Sequence, residues 1–248
     1  MKHKFFVFIG IPAAAILIIF SCSKQQSAVQ PVDYSFTEEF DTVSNAVSKG
    51  WMITNNTKPL GTISWMQGFY YVSTFRKFGL ITPPVNYPSS DGFGANNPSF
   101  SGEDFIMTTS ECGHYTANCS NWLISPPIMM KNGDKISFYT RTYASPAAAA
   151  DRLEVRVNTY DSSGNVGKDT NSVGGFTNVI LDINPRYLLE GDGAYPGEWT
   201  KYTATISGLS GTTTRKSRIA FRYYVPDGGP LGNNGLGVGI DKFQFISF

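Results

Sequence analysis

Apolar and polar side chains alternate along two segments of the chain. In residues 135–143 (KISFYTRTY) and 152–158 (RLEVRVN), large apolar or aromatic side chains recur at about every second position. Successive side chains of a β-strand point to opposite faces, so each segment predicts a strand with one buried face. Further strands are predicted where β-branched and aromatic residues cluster, at 36–40, 50–55, 104–109, 121–125, 176–183, 198–207, 217–225 and 238–247.

Residues that favour turns separate these segments. Gly, Asn, Asp and Ser are concentrated at 131–134, 161–165 and 226–229, which predicts a turn at each place. A sustained period of 3.6 residues is absent from the sequence, and the single predicted helical turn follows Ser145 and Pro146, which suit a cap and a first helical position. Many short strands predict an all-β fold, a two-sheet antiparallel β-sandwich with jelly-roll topology.

The first residues have a different pattern. Lys2 and Lys4 precede an apolar stretch at 5–20, an arrangement typical of a secretion signal and short for a spanning helix. The stretch runs into Ile-Phe-Ser-Cys, which resembles the bacterial lipoprotein box, so we expect cleavage after Ser21 and lipid attachment to Cys22. The alternatives are an uncleaved membrane anchor or an ordinary signal peptide, and both also place the body of the protein outside the cytoplasm.

The predicted domains follow from this signal. Residues 1–21 are the signal peptide, 22–34 are the lipidated cysteine and a polar, aperiodic tether, and 35–248 are one folded domain. We expect export through the Sec pathway, a lipid-anchored location at the outer membrane or cell surface, and a monomer. More than one acyl chain makes such anchoring stable, since each buried methylene adds about 0.8 kcal/mol.

Charge excludes one class of function. Charged residues make up 16% of the chain, and the formal net charge is +1. Loss of the signal removes Lys2 and Lys4, and the remainder contains no run of basic residues, which disfavours nucleic-acid binding.

The three cysteines divide into one lipid attachment site and one pair. With Cys22 assigned to lipid, Cys112 and Cys119 remain in a chain destined for an oxidising compartment, which favours a disulfide. In the loop-entropy description, a bridge over so short a loop contributes about 2.5 kcal/mol. The alternative is a metal site of Cys112, His114 and Cys119, but a closed zinc site needs four ligands and a fourth is not evident.

An ordered series of short motifs resembles the choice-of-anchor J domain, a relative of the cleaved adhesin modules. The series covers about residues 36–248, and its members are Phe40-Asp41, Gly50-Trp51, Asn55-Asn56, 64–68 (SWMQG), 121–127 (NWLISPP), 133–141 (GDKISFYTR), 151–156 (DRLEVR), Phe176-Thr177, 181–185 (LDINP), 199–203 (WTKYT), 218–225 (RIAFRYYV) and 239–241 (GID). The resemblance implies a jelly-roll sandwich like those of carbohydrate-binding modules, displayed on a cell surface by varied anchors. It implies no shared reaction. The chain ends directly after its last predicted strand, so we expect the N-terminal lipid to replace the C-terminal sorting tail common in that family.

Candidate catalytic residues are few. His114 is the only histidine after the signal, and a lone histidine between two cysteines is more often exposed and idle than catalytic. A glycosidase needs two carboxylates facing one cleft, whereas the neighbours Glu38-Glu39 and Glu103-Asp104 would point to opposite faces of a strand. We therefore expect no enzyme, with a glycan-active hydrolase as a remote alternative.

Acidic residues near the two ends of the domain indicate a structural calcium ion. If the first and last strands pair, Glu38, Glu39 and Asp41 approach Asp241, and calcium prefers such oxygen ligands. The alternative is a set of solvated carboxylates at a sheet edge.

Carbohydrate binding is the leading functional prediction. Sugars stack on exposed aromatic rings, and Asn, Gln and Asp bind their hydroxyls. The densest aromatic stretch, at 65–71, and the Gly/Asn-rich loop at 226–234 supply the candidate ligand-binding residues Trp65, Gln67, Tyr70, Asn233 and Asn234. Trp65 is also well suited to the core, and the two asparagines to turn geometry. We expect Trp51, Trp122 and Trp199 in the core.

Two classes of function follow. The chain is either a non-catalytic binding or adhesion module for a glycan or partner, or a structural surface component that packs against envelope proteins without a small ligand. An exposed aromatic platform in the structure would favour the first.

Overall fold

The computed structural model describes residues 32–68, 105–142 and 149–248, which form an all-β fold with one short α-helix. Contacts group Asp33–Phe248 into one compact unit. The helix α1 spans Val43–Ser48. The strands are β1 (Phe36–Glu38), β2 (Met52–Asn55), β3 (Lys58–Leu60), β4 (Met66–Gln67), β5 (Ile106–Thr109), β6 (Gly113–Ile124), β7 (Ile128–Met130), β8 (Lys135–Thr142), β9 (Leu153–Val157), β10 (Asn178–Ile183), β11 (Thr200–Thr205), β12 (Arg215–Ser217), β13 (Ile219–Gly228) and β14 (Gly237–Ile246).

Two six-stranded antiparallel sheets make up the sandwich. Sheet A has the order β11-β8-β14-β5-β4, with β1 paired to β14, and sheet B has the order β10-β9-β13-β6-β2, with β3 paired to β6. A separate two-stranded sheet joins β7 and β12. The first and last strands therefore pair, as the calcium hypothesis assumed, with Phe36 opposite Phe245 and Glu38 opposite Phe243.

The core lies between the two sheets. Its largest contacts join Phe221 of sheet B to Phe138 and Phe243 of sheet A, with ring centroids 4.9 and 5.8 Å apart. Trp51 belongs to this main core cluster. Trp122 is fully buried in a smaller cluster on the other face of sheet B, and the partly buried Trp199 packs against a third cluster on sheet A.

The strand prediction is confirmed at all ten predicted segments. The alternating segments 135–143 and 152–158 form β8 and β9, and in β9 Leu153, Val155 and Val157 are fully buried in the main core. Strands β3, β4, β7 and β12 were not predicted. Each has only two or three residues, too few for a period to show in the sequence.

The local predictions had mixed outcomes. At 131–134, Asp134 accepts a hydrogen bond from the backbone N–H of Lys131 at 2.8 Å and closes the predicted turn. The turn predicted at 226–229 is wrong in position, because β13 continues to Gly228 through a register shift after Val225. The helical turn predicted after Ser145 falls largely on 143–148, outside the described residues. In the described ranges, no helix has the length and apolar character needed to cross a membrane.

Candidate functional site

A groove of about 470 Å³ opens beside the first strand. Its walls are β1 with the residues just before it, the segment that leaves α1, and the turn between β6 and β7. The residues that line it are Tyr34, Phe36, Thr37, Glu38, Lys49, Trp51, Pro126, Pro127, Ile128 and Met129.

The segment between α1 and β2 shapes one wall of this groove. Thr42 caps the helix, since its hydroxyl accepts a hydrogen bond from the backbone N–H of Asn45 at 3.2 Å. After the helix, Gly50 adopts a φ of +99°, a left-handed conformation that favours glycine. A Cβ at Gly50 would lie 3.5 Å from the Cβ of Pro126, so the helix end and the β6–β7 turn approach closely, and Trp51 follows directly.

Aromatic side chains give the groove an apolar surface that reaches solvent. Tyr34 and Phe36 are only partly buried. The Phe36 ring rests against the core, with its centroid 5.7 Å from that of Phe243 and 6.2 Å from that of Phe245. Since the core holds one side of this ring, the remaining surface faces the groove at a fixed position.

One ion pair lies in the groove wall. Lys49 Nζ is 3.3 Å from both carboxylate oxygens of Glu38. The Glu38 side chain is 4% exposed and that of Lys49 is 50% exposed. The backbone N–H of Phe40 also donates to Glu38 Oε1 at 3.3 Å. A buried carboxylate is costly unless it is paired, so the lysine stabilises the charge of Glu38 while part of its own side chain stays accessible.

The indole of Trp51 carries an unused hydrogen-bond donor. Trp51 is 2% exposed, and its ring packs edge-on against Phe40 and Phe243 at centroid distances of 5.0 and 5.4 Å. Its Nε1 is buried without a hydrogen-bond partner in the part of the chain that the structure describes. Native proteins rarely leave such a donor unpaired, because the lost hydration costs about 1–3 kcal/mol.

The chemistry of the groove suits binding better than catalysis. Among its described lining residues, Glu38 is the only acid, and the ammonium of Lys49 already neutralises it. Two-carboxylate hydrolysis requires a second acid on the opposite side of the scissile bond.

Comparisons with known proteins leave the family open. No protein-family model and no curated protein matches the chain. Among solved structures, the K1 and K3 cleaved adhesin domains of Lys-gingipain from Porphyromonas gingivalis W83 are similar, with TM-scores of 0.48 and 0.49 at 16% identity. Those alignments cover 86% and 87% of this chain and 98% and 100% of the respective domains. TmCBM61, solved in complex with β-1,4-galactotriose, has a TM-score of 0.41 at 12% identity, over 85% of this chain and 99% of its own. Similarity at this level assigns neither family nor function.

The predicted aromatic platform is not exposed where the structure describes it. Trp65 is 4% exposed and packs in the main core, so its ring offers no free face for stacking. Its Nε1 also has no hydrogen-bond partner among residues 32–68, 105–142 and 149–248, but Trp65 is not among the residues that line the groove. Gln67 has a bracing role: its Oε1 accepts from the backbone N–H of Val43 at 2.7 Å, and its Nε2 donates to the carbonyl of Phe105 at 3.1 Å. Tyr70 lies outside the described residues.

The two predicted asparagines stabilise their own loop. Asn233 Nδ2 donates to the carboxylate of Asp227 at 2.6 Å. Asn234 Nδ2 donates to the carbonyl of Pro226 at 3.1 Å, and its backbone N–H donates to the carbonyl of Asp227 at 3.0 Å. These contacts fit the turn geometry that the sequence left as the alternative.

The calcium prediction stays a prediction. Strand pairing places Glu38 near the end of β14, but the contacts found for Glu38 are the ammonium of Lys49 and a backbone N–H. Asp241 is buried and accepts from the backbone N–H of Lys242 at 2.7 Å, whereas Asp41 is exposed and Glu39 partly buried. Within the described ranges, no group of three or more acidic, histidine or cysteine side chains is placed to hold a metal ion.

The two cysteines are buried in the structure, whereas the histidine between them is exposed. Cys112 and Cys119 are both fully buried free thiols, and the contact between them raises the pKa of Cys112 and lowers that of Cys119. His114 is exposed and its ring centroid is 3.9 Å from that of Tyr115. The disulfide stays a prediction, and the metal alternative receives no support from this arrangement.

A buried charge network on sheet B was not predicted. Glu154 accepts from Arg156 at 2.7 Å, from Arg152 at 3.0 Å and from Arg222 at 3.1 Å. Arg152 also holds Asp182 through two hydrogen bonds of 2.7 and 2.9 Å. Burial raises the pKa of Glu154, but the hydrogen bond from Arg156 and the charges of the three arginines outweigh it and lower the pKa overall. The alternation Arg152-x-Glu154-x-Arg156 was a visible signal, since it places three charges on one face of a strand.

Proposed function

We propose that this chain is a non-catalytic binding module that holds a short segment of a neutral glycan in the groove beside β1. The observation that carries the proposal is a groove in which the rings of Tyr34 and Phe36 are partly exposed, and whose wall holds the buried Trp51 indole N–H, which has no partner among the described residues. A ligand oxygen that reaches this donor as the wall adjusts would remove the cost of leaving it unpaired.

The size and surface of the groove support a sugar ligand. Its volume of about 470 Å³ lies within the range of small-molecule sites, roughly 300–1,000 Å³. One face of a pyranose is apolar and packs against an aromatic ring, which Tyr34 and Phe36 provide at the rim. Neighbouring hydroxyls of the same ring are both donors and acceptors.

The ion pair supports a neutral ligand. Lys49 Nζ donates and Glu38 accepts, so a hydroxyl group can bind both without changing the charge of the groove. An anionic sugar would compete with Glu38 for Lys49 and place two negative charges together, which is unfavourable in a partly buried site.

We further propose that the domain is displayed at the cell envelope. The basic n-region, the apolar stretch and Cys22 support export and lipid attachment, and the resemblance to choice-of-anchor J domains supports a surface module. In this arrangement the tether before Tyr34 leads directly into the strand that forms the groove wall. The ligand then lies close to the anchored end of the domain.

A glycan array, followed by titration calorimetry on the best neutral ligand, tests the proposal. Trp51→Phe removes the indole N–H, and we expect affinity to fall about 3- to 10-fold, the value of one hydrogen bond. Tyr34→Ala removes ring surface at the rim, and we expect a loss of tenfold or more.

Matched controls separate the groove from general effects. Trp65→Phe makes the same chemical change at a second buried, unpartnered indole outside the groove, and Tyr160→Ala removes a tyrosine that is 70% exposed elsewhere. Both should bind as the unmodified protein does. A blank array, or equal affinity for the groove variants and their controls, would contradict glycan binding in the groove.

A protein-binding role is the second candidate, and one observation favours it. Tyr115 and Leu231 are 62% and 70% exposed and lie close together, since the backbone N–H of Leu231 donates to the carbonyl of Tyr115 at 3.2 Å. Neighbouring exposed apolar side chains are a feature of protein interfaces. A blank glycan array combined with loss of adhesion in Tyr115→Ala would favour this candidate.

A further inference from the structure

Cys112 and Cys119 meet beneath the exposed first residues of β6. Cys112 ends a short 3₁₀ turn, Ser110–Cys112, and Cys119 lies within β6. Both side chains have no solvent exposure, and a Cβ at Gly113, the residue after Cys112, would lie 3.6 Å from Cys119 Sγ. The hydroxyl of Thr57 is 3.8 Å from Cys112 Sγ and accepts from the backbone N–H of Ser120 at 2.9 Å. The two cysteines are therefore neighbours in the fold.

The exposed residues 114–116 at the start of β6 include an unfavourable backbone conformation. His114, Tyr115 and Thr116 are exposed, and Tyr115 has a φ of +50°. A bulky aromatic residue rarely adopts this left-handed conformation, which costs about 1 kcal/mol or more, so neighbouring structure must hold it.

The loop at 229–231 docks on these first residues of β6. The hydroxyl of Thr116 donates to the carbonyl of Leu231 at 3.4 Å, alongside the bond between Leu231 and Tyr115. Gly229 has a φ of +82°, and a Cβ there would lie 2.2 Å from the carbonyl oxygen of Tyr115. Only glycine permits this approach, so the 229–231 loop and the start of β6 fit together as one unit.

We propose that Cys112 and Cys119 are oxidised to a disulfide in the exported protein, and that this bond holds the exposed residues 114–116 at the start of β6 in their docked position against 229–231. The bond ties the two ends of the segment that contains Tyr115. Without it, this segment is held by the pairing of β6 with its neighbours and by the two hydrogen bonds to Leu231.

The chemistry is a two-electron thiol oxidation. Both S–H bonds break, one S–S bond forms, and two protons and two electrons pass to a disulfide-containing oxidant, which becomes a dithiol. In the folded protein, the contact between the two cysteines lowers the pKa of Cys119 and raises that of Cys112. Because both sulfurs are buried there, the reaction takes place while the chain folds, before the start of β6 covers them.

Mass spectrometry of the exported chain tests the bond. In a Cys22→Ala background, denatured protein should contain no thiol that reacts with a maleimide, and two after reduction, with a mass about 2 Da below that of the dithiol form. Two reactive thiols before reduction would overturn the proposal. A mass increase that matches bound zinc would overturn it in favour of the metal site.

Hydrogen exchange tests whether the disulfide holds residues 114–116 in their docked position. Reduction of the folded protein with dithiothreitol should speed exchange at 113–118 and 229–232 while leaving β9 unchanged, and should lower the melting temperature by about 5–10 °C. The Cys112→Ser variant should match the reduced protein. If that variant does not fold, reduction of the unmodified chain still gives the result. Equal exchange in both redox states would overturn the docking role.

Discussion

A single buried carboxylate, Asp151, sits at the centre of several contacts from distant parts of the chain. Its Oδ1 accepts from the hydroxyl of Tyr223 at 2.8 Å and from the backbone N–H groups of Leu236 and Gly237 at 2.9 Å each. Its Oδ2 accepts from the hydroxyl of Thr142. Burial raises the pKa of Asp151 to about 6, because these hydrogen bonds only partly offset the loss of hydration.

This raised pKa predicts a pH-dependent stability. The folded protein keeps the proton between the unfolded value of 3.8 and about 6, so the contribution of Asp151 to stability is fully present below 3.8 and is lost as pH rises through 6. Asp151→Asn keeps an oxygen acceptor and removes the titration. Relative to the unmodified protein, the variant should gain up to about 3 kcal/mol between pH 4 and 7.

Urea unfolding at intervals between pH 4 and 7 measures this difference. The comparison between the two proteins cancels the titration of all other groups, which both share. Parallel stability curves across this pH range would contradict the predicted role of Asp151.

At the scale of elements, sheet B is joined across three strands by charge. Arg222 in β13 lies opposite Glu154 in β9, and Glu154 lies opposite Asp182 in β10. Arg222 also stacks on the ring of Tyr224, with its guanidinium carbon 3.8 Å from the ring centroid. This row of charges, Arg222, Glu154 and Asp182, fixes the register of β13, β9 and β10, whose opposite face packs against the apolar core.

Removal of the central acid should destabilise this row. Glu154→Ala leaves three arginines without their shared carboxylate, and we expect a loss of about 3–5 kcal/mol at pH 7. Asp169→Ala is the control, because its ion pair with Lys58 is exposed on both sides and should contribute less than about 1 kcal/mol. Equal unfolding free energies for the two variants would show that the network is not a stabilising unit.

What the sequence predicted at this scale depended on length and periodicity. Strands β8 and β9 are long enough to display alternation, and β9 also displays it in its charges. The helix α1 was missed, because its six residues span less than two turns and its cap at Thr42 is a purely local signal. The groove could not be predicted, since Tyr34 and Phe36 meet Pro126 only through the pairing of β1 and the turn after β6. Trp65 was plausible as a ligand platform because sequence alone does not show which face of an aromatic residue is covered.

At the scale of the whole molecule, the lipid prediction concerns where the domain works. If Cys22 carries acyl chains, replacement by alanine removes the anchor and leaves the sandwich intact. Cys22→Ala should therefore move the protein from the membrane pellet to the soluble fraction, while its circular dichroism spectrum and melting temperature stay the same. A variant that remains in the pellet with an intact apolar stretch would instead indicate an uncleaved membrane anchor.

The pairing of β1 with β14 also has a mechanical meaning. Strand β1 has three residues, and its pairs run from Phe36 opposite Phe245 to Glu38 opposite Phe243. If the domain is tethered at its N-terminal side and a ligand in the groove is pulled by flow, the load passes through this short strand. A ligand that contacts both β1 and Pro126 would transmit part of that force directly to the turn after β6, so β1 would bear less of it. Binding would then reinforce the domain where tension is greatest.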